Sequence, residues 1–359
     1  MLTPRPWGNV SDSLGAEGSS RVLRVGMDIG SHTTVYQMAQ RLGDLLVPRT
    51  HRVPTLLAYS DEPGDSRGSL VVGDEALARK HEMNLVHPLQ ADESSVLGDF
   101  AGALRSSMDP DGNKELWGVI NCPQGIPFEE LKRIRLLANH IFDRTSLLDP
   151  ALLMATSFGS QEVARNSIWI DLGATSVRVS PVHGGSPAPG ETRVVPGGGD
   201  AIDARLEEGL RKRYPDLLLS AVTINRIKEC FAHLAPESRP ASLRVWFEGR
   251  EKVIDIASIV RRACEPLVDS VLEGLRSVLG SSPSDSVEEL LENIIVVGGG
   301  ARMMGIGDRL REECRREFGQ RTSLRIPEDP TVLVANGGLR WAHFLREEEW
   351  EIPLFLFAP

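Results

Sequence analysis

The chain contains 359 residues, more than one hydrophobic core usually serves, so two domains are expected. Its formal net charge of −10 argues against nucleic acid as the main partner, because binding to a phosphate backbone requires a basic face. The sequence has no apolar run long enough to span a membrane and no C-x-x-C pair among Cys122, Cys230, Cys264 and Cys314. We therefore expect a cytoplasmic protein without a transmembrane segment, a zinc site or a disulfide framework.

The first part of the chain has a polar tail followed by a hairpin pattern. Residues 1–20 carry Pro, Gly and Ser without an apolar run, and we expect them to be disordered. Residues 22–27 and 35–38 are predicted strands, and the small polar turn between them is typical of a hairpin. Residues from about 50 to 80 are punctuated by Pro, Gly and Asp and predict a small inserted subdomain.

Strand and helix patterns then alternate along the chain. The elements predicted by apolar spacing are a strand at 116–121, a helix at 127–142, the start of a helix at 147–158, a strand at 167–171, helix-rich residues at 200–250, one long helix at 253–279, a strand at 293–297 and a helix from about Ile306. Asp149-Pro150 would supply the N-cap and the first position of one helix. The alternation predicts an α/β protein.

Two segments far apart in the chain share one plan of an apolar residue, Asp, an apolar residue, Gly and a small polar residue. They are residues 25–31 and 169–175, in which Asp28 and Asp171 each close an apolar strand. The backbone N–H groups of such a turn can wrap phosphate oxygens, while the carboxylate can reach magnesium through water. Either turn alone is typical of an ordinary hairpin, but the pair indicates a weak internal duplication and a phosphate site.

A third candidate element is the glycine run after the last predicted strand. Gly298, Gly299 and Gly300 lie between an apolar strand and a helix, where side chains would block the close approach of a ligand. Taken alone, this run is typical of a flexible strand-to-helix turn. Together with the two Asp turns it completes the bipartite nucleotide pattern of one superfamily.

These motifs resemble those of the actin superfamily, which includes actins, bacterial MreB, sugar kinases and heat-shock chaperone ATPases. The resemblance spans residues 22–345. Residues 195–203 and 327–331 resemble the G-G-D-x-x-D and E-D-P segments of bacterial actin-like filament proteins. Further similarity, to the MamK subgroup of magnetosome-organising actins, lies at residues 71–76, 88–90 and 262–265.

The resemblance implies an α/β, actin-like fold, which is a duplicated ribonuclease H-like architecture of two domains with the nucleotide in the interdomain cleft. Domain I would comprise residues 21–163 and 331–359, and domain II residues 164–330 with a smaller subdomain at about 199–254. The implied ligands are ATP or ADP with Mg²⁺. The implied partners are copies of the same chain in a filament, with a related actin-like filament protein or an organelle adaptor as a further partner.

The resemblance also assigns roles to residues by position. The residues that would surround the β- and γ-phosphates are Gly30, Ser31, His32 and Thr33 from the first turn and Gly173, Ala174 and Thr175 from the second. Asp28 and Asp171 would lie in the magnesium shell. The adenosine contacts would be Lys228, Glu229, Gly298, Gly299, Gly300 and Met303. Without the resemblance, Lys228 and Glu229 are typical of solvated helix charges.

Two positions depart from the pattern that hydrolysis requires. Bacterial relatives carry Glu-Pro where this chain has Asp149-Pro150, a carboxylate one methylene shorter. The predicted catalytic residues are Asp149 and Asp171, and Asp149 would hold the attacking water. In the alternative interpretation, Asp149 only caps the helix that follows it. Arg178 replaces an acidic residue after the second turn, where it would pair with the γ-phosphate or form a surface salt bridge.

The sequence therefore favours a filament-forming, actin-like ATPase with slow or impaired ATP hydrolysis, associated with magnetosome-type organelles. One alternative is a non-hydrolysing, nucleotide-dependent scaffold or partner of a related filament. A second alternative is a small-molecule kinase of the same superfamily. The apolar residues 351–359 are expected to pack on their own subunit or to contact a partner.

Overall fold

The computed structural model describes residues 21–42, 45–60, 70–91, 93–123, 125–158, 166–184, 186–187, 190–235, 239–247 and 249–351. The predictions for the tail at 1–20 and for residues 352–359 lie outside the described residues. The described residues fall into two compact units. Unit 1 contains those within Met1–Ala164 and Val332–Pro359, and unit 2 contains those within Arg165–Thr331.

Unit 1 begins with a mixed sheet and its covering helices. In chain order its elements are β1 (Val22–Ile29), β2 (Thr33–Leu42), β3 (Leu45–Pro54), β4 (Leu57–Tyr59), β5 (Leu70–Val72), α1 (Asp74–Ala78), β6 (Asn84–Val86), α2 (Ser94–Met108), β7 (Glu115–Asn121), α3 (Phe128–Ile141), β8 (Arg144–Leu148) and α4 (Pro150–Phe158). The main sheet has the strand order β3-β2-β1-β7-β8, in which β1, β7 and β8 run parallel and β2 is antiparallel to both of its neighbours. A small sheet has the order β5-β4-β6.

The helix start predicted at 147–158 is wrong in its first residues. Leu147 and Leu148 belong to β8, where they pair with Ile120 and Asn121 of β7. Pairing with a neighbouring strand decided this segment, because a short apolar run is compatible with either element. The helix begins at Pro150, whose missing N–H is no loss at the first helical position.

Unit 2 contains a second sheet with helices packed against it. Its elements are β9 (Asn166–Leu172), β10 (Ser176–His183), β11 (Ser186–Pro187), β12 (Arg193–Pro196), α5 (Gly199–Arg213), α6 (Ala221–Phe231), β13 (Ser242–Phe247), β14 (Arg250–Asp255), α7 (Ala257–Cys264), α8 (Pro266–Ser281), α9 (Val287–Glu292), β15 (Ile294–Val297), a 3₁₀ turn (Gly299–Arg302), α10 (Ile306–Phe318) and β16 (Leu324–Arg325). The sheet has the order β11-β10-β9-β15-β16, with β12 paired to β10. The strands β9, β15 and β16 run parallel, while β10 is antiparallel to β9.

The single long helix predicted at 253–279 is wrong. Its first residues form the end of β14, where Val253 is exposed and Ile254 is buried, the alternation of a strand. The helical part is divided at Glu265-Pro266 into α7 and α8. Because proline has no N–H to continue a helix, it instead occupies the first position of α8.

Each unit has its own apolar core, and the last long helix returns the chain to unit 1. Alternate residues of β9, namely Ile168, Ile170 and Leu172, face the core of unit 2. Helix α11 (Leu333–Phe344) packs against α4 and β1, and the Trp341 indole donates a buried hydrogen bond of 3.0 Å to the Thr156 hydroxyl of α4. These contacts fix β1 from one side and so position the turn that follows it.

Candidate functional site

The carboxyl ends of three parallel strands of unit 1 meet at one edge of the sheet. The strands β1, β7 and β8 end at Ile29, Asn121 and Leu148. Asp28, Asn121 and Asp149 therefore share this edge, with neighbouring strands about 4.8 Å apart. In open α/β sheets, ligands bind at this end of parallel strands.

The first candidate phosphate turn, between β1 and β2, is braced from within unit 1. It is closed by the Gly30 amide, which donates to the Thr33 carbonyl at 3.2 Å. Thr55 holds it from behind, because its hydroxyl donates to the Gly30 carbonyl at 2.8 Å and its amide to the His32 carbonyl at 2.9 Å. Ser31 and His32 are half-buried and Thr33 is exposed. The shape of the predicted turn is thus fixed by a residue that the sequence analysis did not select.

Asn121 is a second residue that the sequence analysis did not select as part of the site. Its side-chain oxygen accepts a hydrogen bond of 2.7 Å from the Ile29 amide, and its side-chain nitrogen donates to the Ile29 carbonyl at 3.4 Å. This side chain continues the β1–β7 pairing where the regular ladder ends, and it fixes the backbone beside Asp28. The sequence feature that could have identified Asn121 is its position as a polar residue at the end of an apolar strand.

Asp149 follows β8 and precedes α4. One of its carboxylate oxygens accepts a hydrogen bond of 2.8 Å from the Ala151 amide, which is the geometry of a helix cap. The carboxylate is only partly buried, and it lies two strands from β1 at the same edge of the sheet. The capping role is therefore present, and a role in orienting water stays a prediction.

In unit 2, Asp171 lies against the glycine turn. The strands β9 and β15 are parallel, with Asp171 opposite Val297, so that the following Gly298 passes close to the carboxylate. Gly298 has φ 86°, and its amide donates to the Pro330 carbonyl at 2.9 Å. A β-carbon at Gly298 would overlap the Asp171 Oδ1 atom, so both the backbone angle and the space require glycine.

The second candidate phosphate turn, between β9 and β10, is braced by the amino end of helix α5. The Gly173 amide closes the turn by donating to the Ser176 carbonyl at 3.1 Å. The amides of Gly199 and Asp200 donate to the Gly173 and Ala174 carbonyls at 3.0 and 2.8 Å. These are donors that a helix leaves unpaired at its start, and the turn supplies their acceptors.

Close packing around Gly198 keeps this turn against the helix. A β-carbon at Gly198 would come within 2.5 Å of the Gly173 carbonyl oxygen and within 2.6 Å of the Ala174 carbonyl oxygen. Thr175 is exposed at the tip of the turn. The second turn is therefore built from backbone groups that lie too close together for any side chain between them.

Lys228 on α6 is fastened to the start of α5. Its ammonium group donates to the Asp203 carboxylate at 2.6 Å and to the Gly199 carbonyl at 3.2 Å, and both charged side chains are mostly buried. Asn225 donates to the same Asp203 oxygen at 3.1 Å. Lys228 is therefore not a solvated helix charge. Asp203, the last residue of the predicted G-G-D-x-x-D resemblance, is the partner that the sequence analysis did not assign.

The predicted adenosine residues come from two segments that meet within unit 2. The Leu234 amide, just after α6, donates to the Met304 carbonyl at 2.7 Å, which joins α6 to the chain following the glycine turn. Met303 is partly buried against the core, and Glu229 is exposed. A β-carbon at Gly299 would meet no atom within 4 Å, so this side of the glycine turn is open.

Arg178 lies directly opposite Asp171 across the antiparallel β9–β10 ladder. Although Asp171 as a residue keeps some exposed surface, protein atoms crowd its carboxyl group, and this burial raises its pKa. The positive charge of Arg178 acts in the opposite direction and lowers the same pKa. Arg178, the residue that departs from the family pattern, therefore influences Asp171, one of the two carboxylates predicted to lie near magnesium.

The residues present fit a magnesium-bound polyphosphate. The Asp171 carboxylate is buried and only partly compensated by Arg178, so an added cation nearby would favour its charged form. The glycines at 198 and 298 keep the surrounding backbone free of side chains. Magnesium bound to nucleotides typically uses one or two carboxylates together with phosphate oxygens and water.

Comparison with known proteins places this arrangement in a family. The MreB/Mbl protein family matches residues 119–349. The actin-like protein MamK of Paramagnetospirillum magneticum is 25% identical over 288 residues, which cover 78% of this chain and 82% of that protein. Among the described residues, no helix combines the length and apolarity that crossing a membrane requires.

Two solved structures share the fold. The MamK double helical filament has a TM-score of 0.80 and 22% identity, covering 90% of this chain and 100% of that chain. A non-polymerising MamK mutant bound to AMPPNP has a TM-score of 0.64 and 23% identity, covering 90% and 99%. The predicted actin-like α/β fold and the resemblance to MamK are confirmed. Because the family match covers more than half of the chain, this protein belongs to the MreB/Mbl family of actin-like proteins.

Proposed function

We propose that this protein binds ATP with Mg²⁺ and polymerises with copies of itself into a cytoskeletal filament. The observation that carries the proposal is the repeated arrangement of a strand, a carboxylate and a braced turn, once after β1 and once after β9. Support comes from the relatives, since one similar structure is a double helical filament and another is bound to AMPPNP. The family resemblance assigns both turns to one nucleotide.

The chain's own residues would divide the binding between them. In unit 2, the turn of Gly173, Ala174 and Thr175 would face the phosphates, and Lys228 would hold α6 beside the start of α5. The open face at Gly299 would accept the nucleoside. In unit 1, the turn at 30–33 would contribute its amides and hydroxyls from a backbone held by Thr55.

Asp28 and Asp171 are the side chains proposed to hold magnesium through water. When bound, the metal would neutralise phosphate charge, which is the dominant electrostatic requirement for phosphoryl chemistry. Arg178 faces the same carboxylate and supplies part of the positive charge from the protein. This combination supports tight binding of a polyphosphate more directly than it supports hydrolysis.

Slow hydrolysis is the turnover that we expect with Asp149 as the water-orienting residue. The carboxylate is one methylene shorter than the Glu expected there, and one oxygen is already used by the Ala151 amide. A displacement of about 1 Å in a water-orienting group can reduce the rate by about 100-fold. We therefore propose that the protein turns over ATP slowly, with Asp149 and Asp171 as its catalytic carboxylates.

A second candidate function is a nucleotide-dependent scaffold that polymerises, or joins a related filament, without useful hydrolysis. The cap at Asp149 and the cation opposite Asp171 both favour it. The two functions predict equal assembly and different phosphate release.

Sedimentation and phosphate release measured on the same samples test the proposal. We expect the wild-type chain to pellet with MgATP and to release phosphate slowly once filaments form. Asp171→Ala should lose both properties, while the control Asp216→Ala removes an exposed carboxylate from the same unit and should keep them. Phosphate release equal to that of Asp171→Ala, with filaments present, would support the scaffold. Monomers at every ATP concentration would overturn assembly altogether.

The proposed cellular role is the positioning of magnetosome-type organelles, as the MamK resemblance suggests. A fluorescent fusion expressed in a magnetosome-forming cell that lacks its own MamK should form a linear structure and restore an ordered organelle chain. Asp171→Ala is the matched negative variant. Scattered organelles beside normal filaments of the wild-type fusion would reject the organelle role and leave the filament proposal intact.

A further inference from the structure

The charge at position 178 is the least expected feature of the candidate site. In the family pattern that the sequence resembles, an acidic residue follows the second turn, and this chain has Arg178 at that position. Two acidic side chains near a polyphosphate repel both each other and the ligand, so that such a site depends on a bound metal. Here one of the two charges is reversed.

The strand register places this reversed charge beside Asp171. Arg178 is its direct partner across the antiparallel β9–β10 pair, so both side chains leave the same face of the sheet, with Cβ atoms about 4.5–5.5 Å apart. On the other side of β10, the partner of Arg178 is Val194, an exposed apolar residue that offers no charge. The cross-strand charge available to Arg178 is therefore the Asp171 carboxylate.

The Asp171 carboxylate is also confined from the opposite direction. Val297 pairs with Asp171 on the other side of β9, and the Gly298 backbone comes so close that no β-carbon would fit beside the Oδ1 atom. The carboxylate is therefore closely enclosed on the side of Gly298, and Arg178 is its neighbour on the side of β10. The strand register alone makes Arg178 and Asp171 neighbours, so that their proximity does not depend on a ligand.

We propose that Arg178 is a built-in counter-cation for Asp171, which lets this chain bind a nucleoside triphosphate with reduced dependence on magnesium. The inference rests on the proposed function and goes beyond it, because it concerns which cation balances the carboxylate. Arg178 acts as a positioning residue whose positive charge offsets the repulsion between Asp171 and the phosphates. An acidic residue at the same position would make the metal indispensable.

Binding of AMPPNP to the full-length chain, measured by titration calorimetry in magnesium and again in excess EDTA, tests the inference. The quantity compared is the fold-loss of affinity on removing the metal. Arg178→Gln should lose at least about tenfold more affinity in EDTA than the wild-type chain, since one charge interaction of this kind changes binding by a decade or more. Arg178→Glu should lose more still and recover when magnesium is restored.

Two variants separate this effect from a general loss of positive charge. Arg178→Lys keeps a cation at the position, and its fold-loss of affinity in EDTA should be close to that of the wild type. Arg211→Gln removes an equal charge from an exposed part of α5, where Arg211 pairs with Glu207. Its fold-loss of affinity in EDTA should equal that of the wild type. An equal fold-loss for the wild type and Arg178→Gln would overturn the inference alone. Absence of AMPPNP binding by the wild type in magnesium would overturn the proposed function and the inference with it.

The nucleotide-free protein gives a second readout that does not depend on binding. Melting temperatures of the wild type, Asp171→Asn, Arg178→Gln and the double variant form a cycle. We expect Arg178→Gln to lower the melting temperature, because the buried carboxylate then has no counter-charge, and the double variant to recover most of the loss. Additive effects of the two substitutions would contradict the pairing.

Discussion

The two strand–turn–strand motifs share a sequence plan, yet the protein supports them by different means. In unit 1, side chains supply most of the support of the turn after β1: the Thr55 hydroxyl donates to the Gly30 carbonyl and the Asn121 side-chain oxygen accepts from the Ile29 amide, beside one backbone bond from the Thr55 amide to the His32 carbonyl. In unit 2, backbone groups hold the turn after β9, since the first amides of α5 bond the carbonyls of Gly173 and Ala174.

This difference predicts how each half responds to change. A turn held by side chains loses one hydrogen bond when one residue is replaced, and the surrounding backbone can remain in place. A turn held by closely packed backbone has no room for an added atom, so that even one methyl group displaces several groups together. The turn and glycine segment of unit 2 should therefore be more sensitive to small substitutions than the turn of unit 1.

The largest effect is expected for Gly298→Ala. The methyl group would overlap the Asp171 carboxylate, and alanine at φ 86° adds backbone strain, for a combined loss of about 2–4 kcal/mol. Thermal and urea unfolding measure this loss. Gly299→Ala is the control for folding stability, because its methyl group would meet no atom within 4 Å. Equal losses of stability for the two variants would show that the close approach of Gly298 to Asp171 does not cause the destabilisation.

A smaller effect is expected at the Lys228–Asp203 pair. Lys228→Met leaves a mostly buried carboxylate with Asn225 as its other hydrogen-bond donor, which should destabilise the protein by about 1–3 kcal/mol. Asp203→Asn should have a similar effect, and the double variant should be less damaging than the sum of the two. Urea unfolding of all four proteins gives the coupling, and a sum without coupling would rule out the ion pair as the reason for the loss.

The sequence was sufficient to locate the two Asp turns, because the chemistry of a tight turn is encoded within a few neighbouring residues. Asp28 and Asp171 stand at the ends of β1 and β9, as predicted. The glycine run could be related to a ligand in the same way. What the turn residues do toward a nucleotide stays a prediction.

The supports of the turns could not be found from local pattern. Thr55, Asn121 and Asp203 become parts of the site only through strand order and helix packing, which bring residues together across 25 to 92 positions of sequence. The misjudged helix at 253–279 has the same origin, since the pairing of β13 with β14 overrode an apolar spacing compatible with a helix. Its break at Pro266 was, by contrast, readable from the sequence.

In unit 1, Thr55→Val should cost about 1–2 kcal/mol, less than the glycine substitution in unit 2. Valine keeps the shape of threonine but leaves the Gly30 carbonyl and the Thr34 hydroxyl without this partner. Thr55→Ser restores the hydroxyl and should recover most of the stability. Thermal unfolding compares the three proteins, and a serine variant as unstable as the valine variant would assign the loss to packing instead of hydrogen bonding.

The smallest effect on stability is expected at Asp149. Substitutions there separate its capping of α4 from its proposed orientation of water. Asp149→Ala removes the cap on α4 and should lower stability by about 0.5–1 kcal/mol, while Asp149→Asn keeps an oxygen for the Ala151 amide and should fold as well as the wild type. If Asp149 also orients water, the Asn variant will lose phosphate release without losing stability. Asp149→Glu, which restores the longer carboxylate, should raise the rate above wild type. Identical rates for the wild type, Asn and Glu variants would exclude Asp149 from the catalytic carboxylates and leave its capping of α4 as the role that these variants detect.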